Sequence, residues 1–134
     1  MKIKATIEKG PDGLFSVYSE NHLGTSFFGG FGDKVAKAKE DFIGSVKEAI
    51  DEQRAEGLAA PAIEDIQIEY QYDIPSFFNY FDCLNVSKFA ELAGINESKM
   101  RAYKSGSAYP GEKTMNKICK AAHQMAAELS AFTL

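Results

Sequence analysis

Cysteine is scarce in this chain. The two present, Cys83 and Cys119, fit neither a metal-ligand spacing nor a disulfide framework, and both are expected to be small buried or half-buried side chains. No apolar run approaches the ~20 residues that a membrane span requires. The N-terminus alternates Lys with apolar residues instead of forming a signal peptide. A cytoplasmic protein without a membrane partner is therefore expected. Internal repeats and low-complexity stretches are also absent. Hydrophobic residues make up 45% and charged residues 25%, which is ordinary for a soluble globular protein.

Catalytic constellations are missing as well. His22 and His123 have no paired Cys, Ser or carboxylate in a recognisable arrangement. Gly29-Gly30-Phe31-Gly32 has too few spaced glycines to cradle a phosphate and is expected to shape a bend. A two-metal nuclease needs carboxylates converging from different strands. Glu8 and Glu69 instead alternate simply with apolar neighbours and should face solvent, while Asp12 belongs to a turn. The expectation is a chain that is no enzyme, holds no metal and uses no cofactor.

What is present divides at Pro75, a residue that restricts its predecessor and makes a natural boundary. Residues 1–75 carry 8 Lys/Arg against 14 Asp/Glu, a net of −6, and residues 76–134 carry 7 against 5, a net of +2. Two halves of opposite sign suggest two jobs, the basic one suiting nucleic acid. The fold class expected is α+β, with a β-β-β-α-β domain over 1–74 followed by an all-α domain over 75–134.

In the first half, Lys2–Glu8 alternates with Ile3, Ala5 and Ile7 on one face, the pattern of a half-buried strand. Gly10-Pro11-Asp12-Gly13 is turn chemistry. Leu14–Ser19 is the expected hairpin partner, with Phe15 and Val17 inward, and Thr25–Phe28 a third short strand bounded by Gly24 and Gly29-Gly30. Asp33 is the expected N-cap of a helix running to about Glu56. Val35, Ala38, Phe42, Ile43, Val46, Ala49 and Ile50 make its apolar stripe, and only the strands can cover it. Ile66–Tyr72 alternates again and reads as the closing strand.

In the second half, Ser76 can cap a short helix bearing Phe77, Phe78, Phe81 and Leu84. These aromatics could form a stacking platform for single strands, but at helical spacing beside other helices they are expected in the core. Asn85–Ala93 supplies a helix with Phe89, Ala90 and Ala93 inward. Gly94 can take the left-handed conformation that ends it, and Asn96 can cap the next. Glu97–Ser105 carries Met100 and Tyr103 on one side, with Ser98, Lys99, Arg101 and Ala102 outward. Gly106 closes it, Pro110 prevents continuation, and a longer helix begins near Gly111 or Glu112. There Met115, Ile118, Ala122, Met125, Leu129 and Phe132 recur at three and four residues as one seam.

Phe89-Ala90, Gly94, Asn96, Glu97–Ser105, Gly106 and Pro110 resemble the helix-turn-helix of the Xre/Cro type of bacterial regulator, without insertion or deletion over roughly forty residues. The resemblance implies that Glu97, Ser98 and Ala102 face base edges and that Asn96 and Lys99 lie near the DNA backbone. Ser87, on the preceding helix, joins this DNA-binding set. Glu97 could accept from cytosine, while Lys99, Arg101 and Lys104 could neutralise phosphates.

Further motifs are Ile3–Glu8, Asp12-Gly13-Leu14-Phe15, Leu23-Gly24 and Gly32-Asp33. With these, nearly the whole chain resembles HicB-type antitoxins, which join a partial RNase H-like β-β-β-α-β domain to a DNA-binding domain. The resemblance implies a type II antitoxin. Its N-terminal domain would neutralise a small basic HicA-like toxin that cleaves messenger RNA. Its C-terminal domain would bind double-stranded operator DNA and repress its own operon. A homodimer or higher even-numbered oligomer is expected, with Met125, Leu129 and Phe132 at the dimer interface. Two alternatives remain open: a stand-alone transcriptional regulator, and an interaction module whose helix-turn-helix no longer binds DNA.

Overall fold

Alternation of apolar and polar residues builds the first layer. In the computed structural model, which describes residues 1–134, β1 (Lys2–Lys9) buries Ile3, Ala5 and Ile7 completely. β2 (Phe15–Leu23) and β3 (Ser26–Gly32) follow, and β4 (Gln67–Tyr72) closes the sheet. The strand order is β3-β2-β1-β4. β1 pairs antiparallel with β2 and parallel with β4, and β2 pairs antiparallel with β3. Strands gather at the N-terminus and helices follow, a mixed α+β chain. No helix is long and apolar enough to cross a membrane.

One face of the sheet is covered by α1 (Val35–Ala55), which buries Ala38, Phe42, Val46, Ala49 and Ile50 against Ile3, Ala5, Ile7, Phe15, Val17 and Phe28. Each fully buried side chain of the size of Val, Ile or Phe contributes roughly 1.5–3 kcal/mol relative to exposure. Val35 and Ile43, at the margins of the stripe, are half-buried. The opposite face is open. Phe27 and Phe31 are 69% and 70% exposed there, and Glu8 and Glu69 point to solvent, Glu69 paired with Lys2 at 3.3 Å.

Three expectations for this unit are corrected. The third strand does not end at Gly29-Gly30 but runs through it to Gly32. The glycines there are packing devices: a Cβ on Gly30 would lie 2.3 Å from Phe42 N and 2.6 Å from Ala38 O, and one on Gly32 would lie 2.7 Å from Ala38 N. The helix rests on bare strand backbone. Its side chains also reach the sheet edge, where Phe31 N donates to Asp41 Oδ2 at 2.9 Å and Gly29 N to Ser45 Oγ at 3.2 Å. An edge strand otherwise leaves such N–H groups unpaired.

The second strand is longer than expected, through Leu23, with an irregularity between Tyr18 and His22. Asn21 sustains it by accepting from Lys4 N at 3.2 Å and from Ser19 Oγ at 2.9 Å. The third correction concerns Asp33, which is not the cap. Lys34 occupies the N-cap without a side-chain bond, and Asp33, one residue further out, pairs with Lys37 at 3.4 Å.

The chain separates into two compact units, Met1–Phe77 and Phe78–Leu134. The division falls inside α2 (Ile74–Tyr80), three residues beyond the expected boundary after residue 74. Pro75 lies in the first turn, where a missing N–H costs nothing. Asp73, not Ser76, caps this helix, accepting from Ser76 N at 3.2 Å. The buried Ser76 hydroxyl instead accepts from Lys9 N at 3.0 Å.

The second unit contains α3 (Val86–Ala93), α4 (Glu97–Ser105) and α5 (Glu112–Ala131). Phe78, Val86, Phe89, Ala90, Met100, Ile118 and Ala121 are buried. The Phe78 and Phe89 rings meet edge to face at 5.8 Å, a geometry that aromatic quadrupoles favour. Of the three aromatics expected in the core, only Phe78 is fully buried; Phe77 is half-buried, as is Leu84. Phe81 lies beyond the end of α2, exposed, with Tyr80 against it at 4.9 Å. Cys83 and Cys119 are both exposed, contrary to expectation. Cys119 follows Ile118 on the outward side of α5, and Cys83 sits in the turn before α3.

The glycines of α1 and β3 give a paired test. Gly30→Ala should destabilise the protein by roughly 1–3 kcal/mol or more, the usual cost of overpacking. Gly44→Ala, in mid-helix with nothing within 4 Å of the new Cβ, should stabilise it by about 0.5–1 kcal/mol. Chemical denaturation of both variants reads the opposite signs.

Candidate nucleic-acid interface

Short helices need their ends satisfied locally, and α3 and α4 are capped at both ends. Asn85 Oδ1 accepts from Lys88 N at 3.0 Å and starts α3. Gly94 ends it at φ 69°, and Ile95 N donates back to Ala90 O at 2.9 Å, a left-handed cap that L side chains with a Cβ resist. Two residues later Asn96 Oδ1 accepts from Ser98 N at 2.9 Å and Lys99 N at 3.3 Å. Gly106 closes α4 at φ 80°. Met100 is completely buried and anchors α4 in the core, with Ala102 and Tyr103 half-buried beside it.

The expected DNA-binding residues therefore fall on one helix pair. Asn96, Glu97, Ser98, Lys99, Arg101 and Lys104 are exposed, and Ser87 and Ala102 are half-buried. Lys99 and Lys104 make no ion pair, so their ammonium groups are available to an anion. Asn96 commits its oxygen to the expected cap, and only its amide donors remain.

Glu97, Arg101 and Ser87 are joined. Glu97 Oε1 accepts from Ser87 Oγ and from Arg101 Nη2 at 2.8 Å and Nε at 3.2 Å. Arg101 Nη2 also reaches Ser87 Oγ at 3.4 Å. The Ser87 hydrogen bond, followed by those from Arg101, holds the Glu97 carboxyl below the ordinary carboxylate value. It is thus ionised at neutral pH and can only accept. Arg101, expected at a phosphate, is occupied by Glu97 in the free protein. Glu97 and Arg101 stand four residues apart, the spacing at which helical side chains meet, and this much could have been found from sequence. Ser87 had no such signal.

Along α5 the seam changes character. Met115, Ala122 and Met125 are half-buried and Ile118 is buried, joined by Ala121 from the adjacent position. Leu129 and Phe132 are 70% and 73% exposed. Phe132 caps α5 in an extended conformation instead of continuing it.

The histidines and a groove on the first unit carry less. His22 Nδ1 lies 2.9 Å from Gly24 O, and His123 is exposed on α5. A polar groove of ≈ 400 Å³ on the open sheet face is lined by Lys4, Thr6, Tyr18, Glu20, Asn21 and Gln71. Burial, then the charges of Glu8 and Asp73, push the Tyr18 hydroxyl upward. Comparison with family models, curated proteins and solved structures finds no match for this chain.

The double cap by Asn96 orients α4. Asn96→Ala should cost about 1 kcal/mol of stability, and Asn96→Asp should retain most of it, since both cap well. Thermal unfolding of the two variants, followed by circular dichroism, measures the difference.

Proposed function

We propose that this chain is a DNA-binding repressor of the antitoxin kind, similar to HicB-type antitoxins, whose second unit binds double-stranded operator DNA. The observation that carries this reading is the α3–α4 pair. Its turn is held by Gly94 and Asn96, its back is anchored by Met100, and its outer face presents Ser98, Lys99 and Lys104. A short helix so presented can enter a major groove while the preceding helix and flanking lysines meet phosphates.

Charge supports a division of labour. The first unit holds 8 basic and 14 acidic residues, net −6, and the second 7 and 5, net +2. In this reading the acidic unit, a partial RNase H-like domain, takes a small basic RNA-cleaving toxin, steered by its charge. Phe27 and Phe31 on the open sheet face offer the apolar surface such an interface needs. The exposed Leu129 and Phe132, with Met125, form an apolar strip suited to a second copy. Two copies would then meet half-sites one helical turn apart, ~34 Å.

An electrophoretic shift with the DNA upstream of the chain's own gene, repeated across salt concentrations, tests the reading. Lys99→Ala with Lys104→Ala should reduce the slope of log affinity against log salt by about 1.8, at ~0.9 for each phosphate no longer neutralised. An unchanged slope removes both lysines from the interface. If the protein binds this DNA but does not co-purify with the product of the adjacent gene, it is a stand-alone regulator. Leu129→Asp should shift the protein from dimer to monomer by light scattering, and a variant that stays dimeric excludes the strip.

A further inference from the structure

A surface arginine on a recognition helix is ordinarily counted as a phosphate anchor. Here Arg101 gives two donors, Nε and Nη2, to one oxygen of Glu97. A third group, the Ser87 hydroxyl, reaches across from α3 to the same oxygen. All three bonds fall on Oε1, which leaves Oε2 open at the N-terminal end of α4. The two side chains retain roughly half their surface, 58% for Arg101 and 50% for Glu97, so the assembly stands at the protein surface and not in the core.

Resting on the DNA-binding reading, we infer that Arg101 is a positioning residue. With Ser87 it fixes Glu97 so that the free carboxylate oxygen reads an amino group on a base edge, and the base so read is cytosine. The chemistry selects the base. An ionised carboxylate has no donor, so it is repelled by guanine N7 and O6 and by thymine O4. Adenine offers its N6 amino group but places the N7 acceptor beside it. Cytosine presents N4–H2 without a neighbouring acceptor on its own base, and carboxylates accept from it. A free Glu97 would sweep many rotamers and be pushed away by phosphates. A guanidinium that places two donors on Oε1 beside the Ser87 hydroxyl offsets part of its charge and holds that oxygen in place, which a lysine, a point charge on a flexible stem, does not do.

The two roles of Arg101 separate on substitution by lysine. Lysine serves a phosphate as well as arginine does in charge, but it cannot make the fork. The full-length wild type, Arg101→Lys and Glu97→Gln are each used to select duplexes from a randomised pool. Affinity for the selected sites is then measured across salt. Arg101→Lys should keep the wild-type salt slope while its preference for cytosine at one position in each half-site falls from roughly tenfold to about twofold. Glu97→Gln, which both donates and accepts, should move that position to adenine. Ser87→Ala should weaken the cytosine preference without changing the slope. Circular dichroism confirms that each variant is folded, as expected since none of the three side chains is buried in the core.

The inference is overturned if Arg101→Lys retains the full cytosine preference, or if Glu97→Gln leaves the selected sequence unchanged. A wild type that binds no duplex in a salt-dependent way overturns the DNA-binding reading itself, and this inference with it. Binding with unaltered base preference overturns this inference alone.

Discussion

The close approach of α1 to β3 sets the geometry of the first unit. Helix and strand meet backbone to backbone at Gly30 and Gly32, nearer than any side chain would permit. That proximity brings Phe42 down onto the sheet, where its ring meets Phe28 and Tyr70 edge to face at 6.3 and 6.5 Å. It also brings Asp41 and Ser45 within hydrogen-bond reach of the strand's outer N–H groups. Core packing and edge protection therefore share one cause, and a methyl group at Gly30 disturbs both.

The second unit is governed by a different constraint. Two of its helices are short, eight residues in α3 and nine in α4, too short to persist alone in water. They are defined by their ends and by a small shared core of Val86, Phe89, Ala90, Met100 and Ile118. End definition matters more here than apolar area, because the chain reverses between Ala93 and Glu97 within three residues. Gly94 supplies the backbone conformation and Asn96 the bonds that restart the helix. The exposed residues of α4 inherit their direction from these two.

Much of this was legible in the sequence where one physical signal acted alone. The alternation of Lys2–Glu8 and the apolar stripe of α1 placed their buried faces correctly, since each needs only its own period. Gly94, Asn96 and Gly106 marked the α3–α4 boundaries because caps are local chemistry. Where several long-range interactions compete, the pattern was silent. Gly29-Gly30 reads as a bend until the helix lying on it is known. The stretch after Ser19 looks like loop because a side chain, that of Asn21, holds the strand there and not an apolar residue. The candidate interface divides in the same way. Glu97 and Arg101 share a helix and an i,i+4 spacing, whereas Ser87 joins them across a turn that no spacing encodes.

The blocked strand edge bears on assembly. A sheet open on both sides can be lengthened copy after copy, each newcomer offering a fresh template for the next. Asp41 and Ser45 occupy the outward N–H groups of Phe31 and Gly29 from within the same chain, so an incoming strand would find those donors on β3 already taken. Two small polar residues on one helix thus make β3 a poor template for a further strand.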